Sequence, residues 1–194
     1  YNPAFEKKNI KKKETTKSIK KLKNILCVAR FEKQKNHLML LKAFKLSLKK
    51  INAKLTLIGY GSLKKKITKY VYNNNLKENV EIVSNSKNIQ NYYDNADLFC
   101  LTSIYEGFGN VLVEAAINKI PIISTSCKSG PCEILGNGIY GDLVKIGDTK
   151  KLSKLIIKNL KKPDKSKILK MYKSLDRFNI KKHINKYEEI FRKI

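Results

Sequence analysis

What most constrains this chain is a rhythm. Short apolar runs alternate with longer segments whose apolar residues recur at helical spacing. The first run, Asn24–Ala29, holds Ile25, Leu26, Cys27 and Val28. Consecutive rather than alternating apolar residues predict a strand covered on both faces, as in a parallel sheet. A helix is expected next, at about 36–50, with Leu38, Leu41, Leu46, Leu48, Ala43 and Phe44 near one stripe. A strand at Lys54–Ile58 ends in the tight turn Gly59-Tyr60-Gly61, and a lysine-studded helix at about 63–73 runs into the asparagines 73–75. Further strands are expected at Val80–Val83, Ala96–Thr102 and Ile120–Ser124, the last with Pro121 at its start, where a missing N–H costs least. Between them fall a short helix at Asn88–Asn95 and a nearly all-apolar, hence deep, helix at about 110–118. A small edge strand at Gly141–Lys145 and helices at about 149–160, 165–174 and 179–193 complete the pattern. Such alternation implies βαβ units and one Rossmann-like α/β parallel sheet with helices on both faces. Ligands of these sheets bind beyond the carboxyl ends of the strands, which directs attention to the loops that follow them.

Residues 1–20 stand outside the rhythm. They are lysine-rich, carry almost no apolar periodicity and read as a linker, leaving 21–194 as the folded domain with its C-terminal helices. The opening Tyr-Asn-Pro lacks a Met and is no signal peptide, so the chain reads as a piece of a longer protein. No stretch approaches the roughly 20 apolar residues of a membrane-crossing helix. Cys27, Cys100, Cys127 and Cys132 form no C-x-x-C pair and the two histidines are far apart, which excludes a zinc site or a disulfide framework. Cys27 and Cys100, inside apolar runs, read as small buried hydrophobes in a reducing compartment.

The net charge of +26 is less informative than it looks. Only Arg30, Arg177 and Arg192 among the 42 basic residues are arginine, whereas nucleic-acid readers lean on the arginine fork. Lys, Asn and Ile together supply 81 of the 194 residues, the mark of a compositional bias acting on tolerant positions. A basic face for anionic lipid is the next reading, and nucleic acid the last.

Three loops carry unusual residues. After the first strand, Arg30 and Lys35 flank a loop that leads into a helix N-terminus, where backbone N–H groups and the helix dipole already favour an anion. They could hold a diphosphate, or be two more surface cations of a lysine-rich chain. Gly59-Tyr60-Gly61 could admit a ligand to the backbone or simply make a turn. The loop after the fourth strand says more: Ser103-Ile104-Tyr105-Glu106-Gly107-Phe108-Gly109-Asn110-Val111-Leu112-Val113-Glu114 sets two carboxylates eight residues apart, the second inside an apolar helix. Burying a carboxylate there needs partners, and sugar or ribose hydroxyls are good ones. A helix-start acid beside the dipole would explain Glu106 but not Glu114.

These residues resemble the nucleotide-sugar half of the retaining glycosyltransferases of family four. The resemblance rests on Arg30 and Lys35, on Tyr105-Glu106-Gly107-Phe108-Gly109-Asn110 and on Glu114-Ala115. Asn95-Ala96-Asp97-Leu98-Phe99, Pro121-Ile122-Ile123-Ser124-Thr125, Ser129-Gly130-Pro131-Cys132-Glu133-Ile134, Gly141-Asp142-Leu143-Val144 and Gly147-Asp148 support it, and it covers about residues 20–194. Ala29 and Asn36 stand where the family has glycine. The resemblance implies one half of a GT-B fold, the C-terminal half, opposite a missing N-terminal domain. It implies that Arg30 and Lys35 stabilise a departing diphosphate, and that Glu106 with the backbone of Gly107, Phe108, Gly109 and Asn110 holds the sugar. Val111 would lie with them at the donor, Glu114 would bind the ribose, and Asn85, after the third strand, would lie near the base. The donor would be a UDP- or GDP-sugar and the acceptor a glycan or lipid-linked chain. No metal is required by that chemistry, and there is no D-x-D pair to hold one. The intact enzyme is expected in the cytoplasm, peripheral on the inner face of the membrane, in polysaccharide, lipopolysaccharide or capsule synthesis, with this domain inactive alone. Competing readings are an epimerase, whose acid/base groups are missing, a phosphorylase, for which no cofactor lysine is marked, and a basic nucleic-acid module, which would need grouped arginines and exposed aromatics.

Overall fold

The structure, a computed structural model, describes residues 22–84, 86, 88–127, 129–179, 184, 191 and 192. The linker 1–20 and most of the helix expected at 179–193 lie outside the described residues. The apolar runs become β1 (Lys23–Val28), β2 (Ala53–Ile58), β3 (Val80–Val83), β4 (Leu98–Leu101), β5 (Ile122–Thr125) and β6 (Asp142–Val144). All pair in parallel, in the order β3-β2-β1-β4-β5-β6. Between and after them run α1 (His37–Ser47), α2 (Lys64–Asn73), α3 (Ile89–Asp94), α4 (Asn110–Ile117), α5 (Pro131–Ile134), α6 (Thr149–Lys161) and α7 (Lys165–Ser174).

Successive side chains of a strand point to opposite faces, so β1 feeds two cores. Ile25 and Cys27 pack with Leu40, Leu41 and Phe44 of α1, Ile67 and Val71 of α2, and Leu152 and Ile156 of α6. Leu26 packs on the other side with Phe99, with Tyr93 of α3, Leu112, Val113 and Ala116 of α4 and Met171 of α7. Strand order reverses between β1 and β4, which neighbour each other while their following helices depart to opposite faces. That is the topological switch point, where an open α/β sheet offers its crevice.

Several boundaries move. β5 starts after Pro121, at Ile122, because the proline cannot donate to the ladder. The buried stripe of α1 runs through Met39, Leu40, Leu41, Ala43 and Phe44, which turns Leu46 outward with 43% of its surface exposed. α5 has only four residues and no apolar period, so nothing in the sequence pattern announces it; Gly130 at φ 61 and Pro131 at the first helical position start it. Aspartates cap α6 and α7: Asp148 accepts from Lys151 N–H at 2.8 Å and Asp164 from Lys167 N–H at 3.1 Å.

Candidate functional site at the switch point

The loop after β1 is fixed before any ligand arrives. Phe31, fully buried, donates its N–H to the Tyr60 carbonyl at 2.6 Å and accepts from Leu63 N–H at 2.8 Å. Glu32 accepts from the N–H and hydroxyl of Ser62, both at 2.8 Å, and these bonds hold its carboxyl below the usual range. The loop passes so near the β2–α2 turn that a Cβ at Gly59 would lie 2.1 Å from the Ala29 carbonyl oxygen, and one at Gly61 2.7 Å from that of Phe31. The G-x-G pair therefore answers first to close packing. Asn36, where the resembling family has glycine, has φ 47, the left-handed conformation that asparagine tolerates better than most side chains. The substitution preserves the turn that puts Lys35 ahead of α1.

Arg30 is exposed at the mouth of this loop, whereas Lys35 reaches inward. Its Nζ lies 2.6 Å from Glu106 Oε1, and only 14% and 7% of the two side chains remain exposed. Ser103 Oγ donates to the same oxygen at 2.6 Å, and Ser129 Oγ donates to the Glu106 carbonyl at 2.6 Å. Below them the loops after β1 and β4 are sewn together. Ile104 N–H donates to the Gln34 carbonyl at 2.7 Å, Gln34 Nε2 donates to the Tyr105 carbonyl at 2.7 Å, and Thr102 Oγ1 donates to the Lys35 and Asn36 carbonyls at 3.1 and 3.2 Å. The loop after β5 joins from the far side: Thr125 Oγ1 and Cys127 Sγ donate to the Ser103 carbonyl at 2.5 and 3.1 Å. Gly130, at φ 61, lies so close to Phe108 that a Cβ there would be 2.1 Å from its carbonyl oxygen.

Charge buried this close has neighbours to perturb. Burial pushes the Cys27 thiol up to about 12, with the Lys35 charge opposing and that of Glu106 adding, so Cys27 stays an inert thiol. His37, the first residue of α1, is 3% exposed, stands edge-on to Phe31 at 5.1 Å, and has no hydrogen-bond partner within bonding geometry at either ring nitrogen. Burial first and the Lys35 charge second lower its pKa to about 4, the nearby Ala29 carbonyl opposing weakly, so it is neutral at pH 7.

One cavity of about 760 Å3 collects these features. Arg30, Lys35, Glu106, Phe108, Gly109, Asn110 and Val111 line it, and opposite them stand Gly59, Tyr60, Ser84, Ser86 and Ile89. Gly109, at φ 97, ends the loop in the left-handed region and turns the chain into α4, whose first N–H groups are free of intrahelical partners. The site thus offers a guanidinium, an ammonium, a carboxylate and a helix N-terminus around a volume suited to a nucleotide-sized ligand.

Two expected residues stand apart from the lining. Gly107 is exposed, with open space where a Cβ would project. Glu114 is half-buried on α4 and receives a hydrogen bond from Tyr93 Oη at 2.6 Å, so its partner within the fold is a tyrosine hydroxyl rather than a ligand's. Burial and then the Glu114 carboxylate push the Tyr93 phenol well up, keeping it a donor. Asn85 lies outside the described residues, between Ser84 and Ser86, which do line the cavity. Sequence reasoning missed the serine clasp of Glu106: Ser129 lay in a quoted motif with no role attached, and Ser103 is one more serine until the fold brings it to the carboxylate. Tyr93, on a different helix, carries no local signal at all. Among the described residues no three His, Cys, Asp or Glu side chains gather as metal ligands do.

Known proteins resemble this chain closely. A family model described as "Glycosyl transferases group 1" matches residues 7–176. An N-acetylgalactosamine-N,N'-diacetylbacillosaminyl-diphospho-undecaprenol 4-alpha-N-acetylgalactosaminyltransferase of Campylobacter jejuni is 31% identical over 192 residues, covering 96% of this chain and 52% of the relative. The apo lipopolysaccharide outer core galactosyltransferase WaaB superposes with a TM-score of 0.80 at 25% identity, over 100% of this chain and 55% of that one. A TarM variant of S. aureus, crystallised with fondaparinux, alpha-GlcNAc-glycerol and UDP, superposes with a TM-score of 0.81 at 23% identity, over 94% and 38%. The chain spans about half the length of the first two relatives and less of the third.

Proposed function

The chain belongs to the group 1 glycosyl transferases, and on that premise we propose that its cavity is the donor half of a retaining hexosyl or N-acetylhexosaminyl transferase. The observation that carries the reading is the meeting of Arg30, Lys35, Glu106 and the α4 N-terminus in one cavity at the switch point. The donor is a nucleoside diphosphate sugar, UDP- or GDP-linked; the UDP in the TarM crystals supports the former.

As the anomeric C–O bond breaks, its electron pair stays on the departing oxygen and the diphosphate gains one further negative charge. Arg30 and Lys35 are the cations at hand, and groups poised where charge develops stabilise the transition state more than the ground state. Lys35 already spends one N–H on Glu106, so the pair fixes its position, and its other hydrogens remain for a phosphate oxygen. Glu106, anchored by Ser103 and Ser129, and the backbone of Gly107, Phe108, Gly109 and Asn110 hold the sugar hydroxyls beside Val111. Glu114 takes the ribose, in exchange for or in addition to the Tyr93 hydroxyl, and the segment holding Asn85 borders the base. The acceptor, a glycan or lipid-linked chain, enters from the N-terminal domain of the same enzyme, so this domain alone does not transfer sugar. The chemistry needs no bound metal, because the cations already balance the diphosphate. The enzyme works on the cytoplasmic side, peripheral to the membrane that carries its acceptor, and the Campylobacter relative's undecaprenol-linked substrate supports that placement.

Titration calorimetry with UDP, GDP and a panel of their sugars tests the reading. One nucleoside diphosphate should bind, and Arg30→Ala or Lys35→Ala should weaken it by roughly 10- to 100-fold, the worth of one charge-assisted contact. Binding that ignores both substitutions would refute the assignment.

A further inference from the structure

The two faces of the sheet carry very different charge. α1, α2 and α6 cover one face, with α1 in the middle. These three helices hold eleven lysines, no arginine and not one Asp or Glu. The described helices of the other face, α3, α4, α5 and α7, hold four lysines against three acids, Asp94, Glu114 and Glu133. On that other face α7 alone is as lysine-rich and as free of acids, so what sets the first layer apart is that three helices side by side share this charge, with Asp148, the cap of α6, at its edge.

We propose that the α2–α1–α6 layer is a docking face for an anionic lipid surface. The lysines lie on exposed turns above the buried stripe of each helix. Apolar groups stand among them, since Leu46 is 43% and Tyr72 61% exposed. Long lysine stems lying on apolar surface, with ammonium heads at phosphate level, suit a headgroup layer, and a tyrosine and a leucine between them suit its apolar margin. Nucleic acid would ask for the arginine fork, which these helices lack. No helix among the described residues is long and apolar enough to cross a membrane, so the contact is along the surface. The layer runs parallel to the sheet, whereas the cavity opens at the ends of the strands, so a docked domain keeps its cavity clear at the rim of the lipid contact. The proposal rests on the reading above only for which membrane is met, and its test reads lipid binding directly.

The experiment floats the chain with vesicles of phosphatidylcholine alone or mixed with phosphatidylglycerol, at low and at molar salt. Two triple variants change the net charge equally. Lys65→Glu/Lys69→Glu/Lys154→Glu alters the acid-free layer, and Lys165→Glu/Lys170→Glu/Lys173→Glu alters α7 on the opposite face; all six lysines are exposed. Each lysine near anionic headgroups contributes roughly fivefold in partitioning, so the first variant should lose on the order of a hundredfold in retention and the second about threefold or less. Retention of the native chain should collapse as added salt cuts the Debye length from about 10 Å to about 3 Å. Thermal midpoints report whether the variants fold, and unchanged UDP affinity separates this surface from the cavity. Equal losses in the two variants would overturn the proposal, because net charge and not a face would then bind. Equal retention on phosphatidylcholine alone would overturn it too. A random-sequence RNA that strips the chain from anionic vesicles at matched phosphate would assign the layer to nucleic acid instead.

Discussion

Removing one partner of the Lys35–Glu106 pair tests whether the switch point is held together by charge. At 2.6 Å and an effective dielectric of about 20, the attraction is worth roughly 6 kcal/mol, most of which offsets the cost of taking two nearly buried ions out of water. The pair therefore adds little net stability against an apolar substitute, yet losing one ion exposes the other's full burial cost. Lys35→Met leaves the Glu106 carboxylate with the Ser103 hydroxyl alone on Oε1, and should cost about 3 kcal/mol. Glu106→Gln keeps a Ser103 acceptor and leaves an ammonium that is slightly more exposed, costing about 2 kcal/mol. The double variant should be less damaged than the sum by about 2 kcal/mol. Urea unfolding at pH 7 with a common m-value measures all three, and thermal midpoints should fall by roughly 2–4 °C per kcal/mol in a chain of this size. Costs that add within about 0.5 kcal/mol would refute the coupling. UDP titration supplies a second axis: the double variant should match Lys35→Met in stability, at about 3 kcal/mol below the native chain, and bind UDP no better than it does, since on the proposed reading the ammonium itself meets the phosphate.

Two further expectations follow from local geometry. Gly130→Ala, whose Cβ would sit 2.1 Å from the Phe108 carbonyl at a left-handed φ of 61, should cost more than about 2 kcal/mol, whereas Gly107→Ala, facing open space, should leave stability within about 0.5 kcal/mol and report only on ligand approach through UDP-sugar affinity. His37, at about 4 in the folded state against 6.5 when free, is uncharged when folded while the unfolded chain takes up a proton, so stability is full above about pH 6.5 and falls toward pH 4, by at most about 3 kcal/mol; His37→Phe should flatten urea midpoints between pH 6.5 and 5, and an unchanged slope would refute the burial argument.

The sheet was legible because parallel strands buried on both faces leave an unmistakable mark: Ile25 to Val28, Leu98 to Leu101 and the loops between them admit few other arrangements. Strand ends moved by one or two residues where a proline or a neighbouring turn decided the last ladder bond, as at Pro121. Leu46 misled, since a leucine counts toward a stripe in the sequence whichever way its helix is rotated. The cations and the first carboxylate of the site were legible as unusual residues in loops after strands. Their partners were not, because Ser103, Ser129, Thr125 and Tyr93 are ordinary residues whose importance is created by distance in space. Asn36 shows the limit from the other side. It departs from the family's glycine, yet its left-handed φ of 47 meets the same backbone requirement.

That distinction bears on how the site can work. A transferase must hold its diphosphate-binding cations still while charge develops on the leaving group, because reorganisation at that moment raises the barrier. Here Lys35 is fixed from two directions. Its ammonium is held by Glu106, and its carbonyl accepts from Thr102, while Gln34 on one loop and Ile104 and Tyr105 on the other exchange backbone-directed bonds. The loop after β5 then clamps Glu106 through Ser129 and Ser103 through Thr125 and Cys127. Three loops from three strands therefore form one preorganised floor, whereas Arg30 stands exposed at the rim. On the proposed donor reading, Lys35 would supply a charge fixed by its partners and Arg30 an exposed one. Substituting Arg30 by lysine should keep most of the attraction but lose the forked geometry, whereas the same charge-conserving change is impossible at Lys35, where a longer, planar guanidinium would have to displace the carboxylate that positions it.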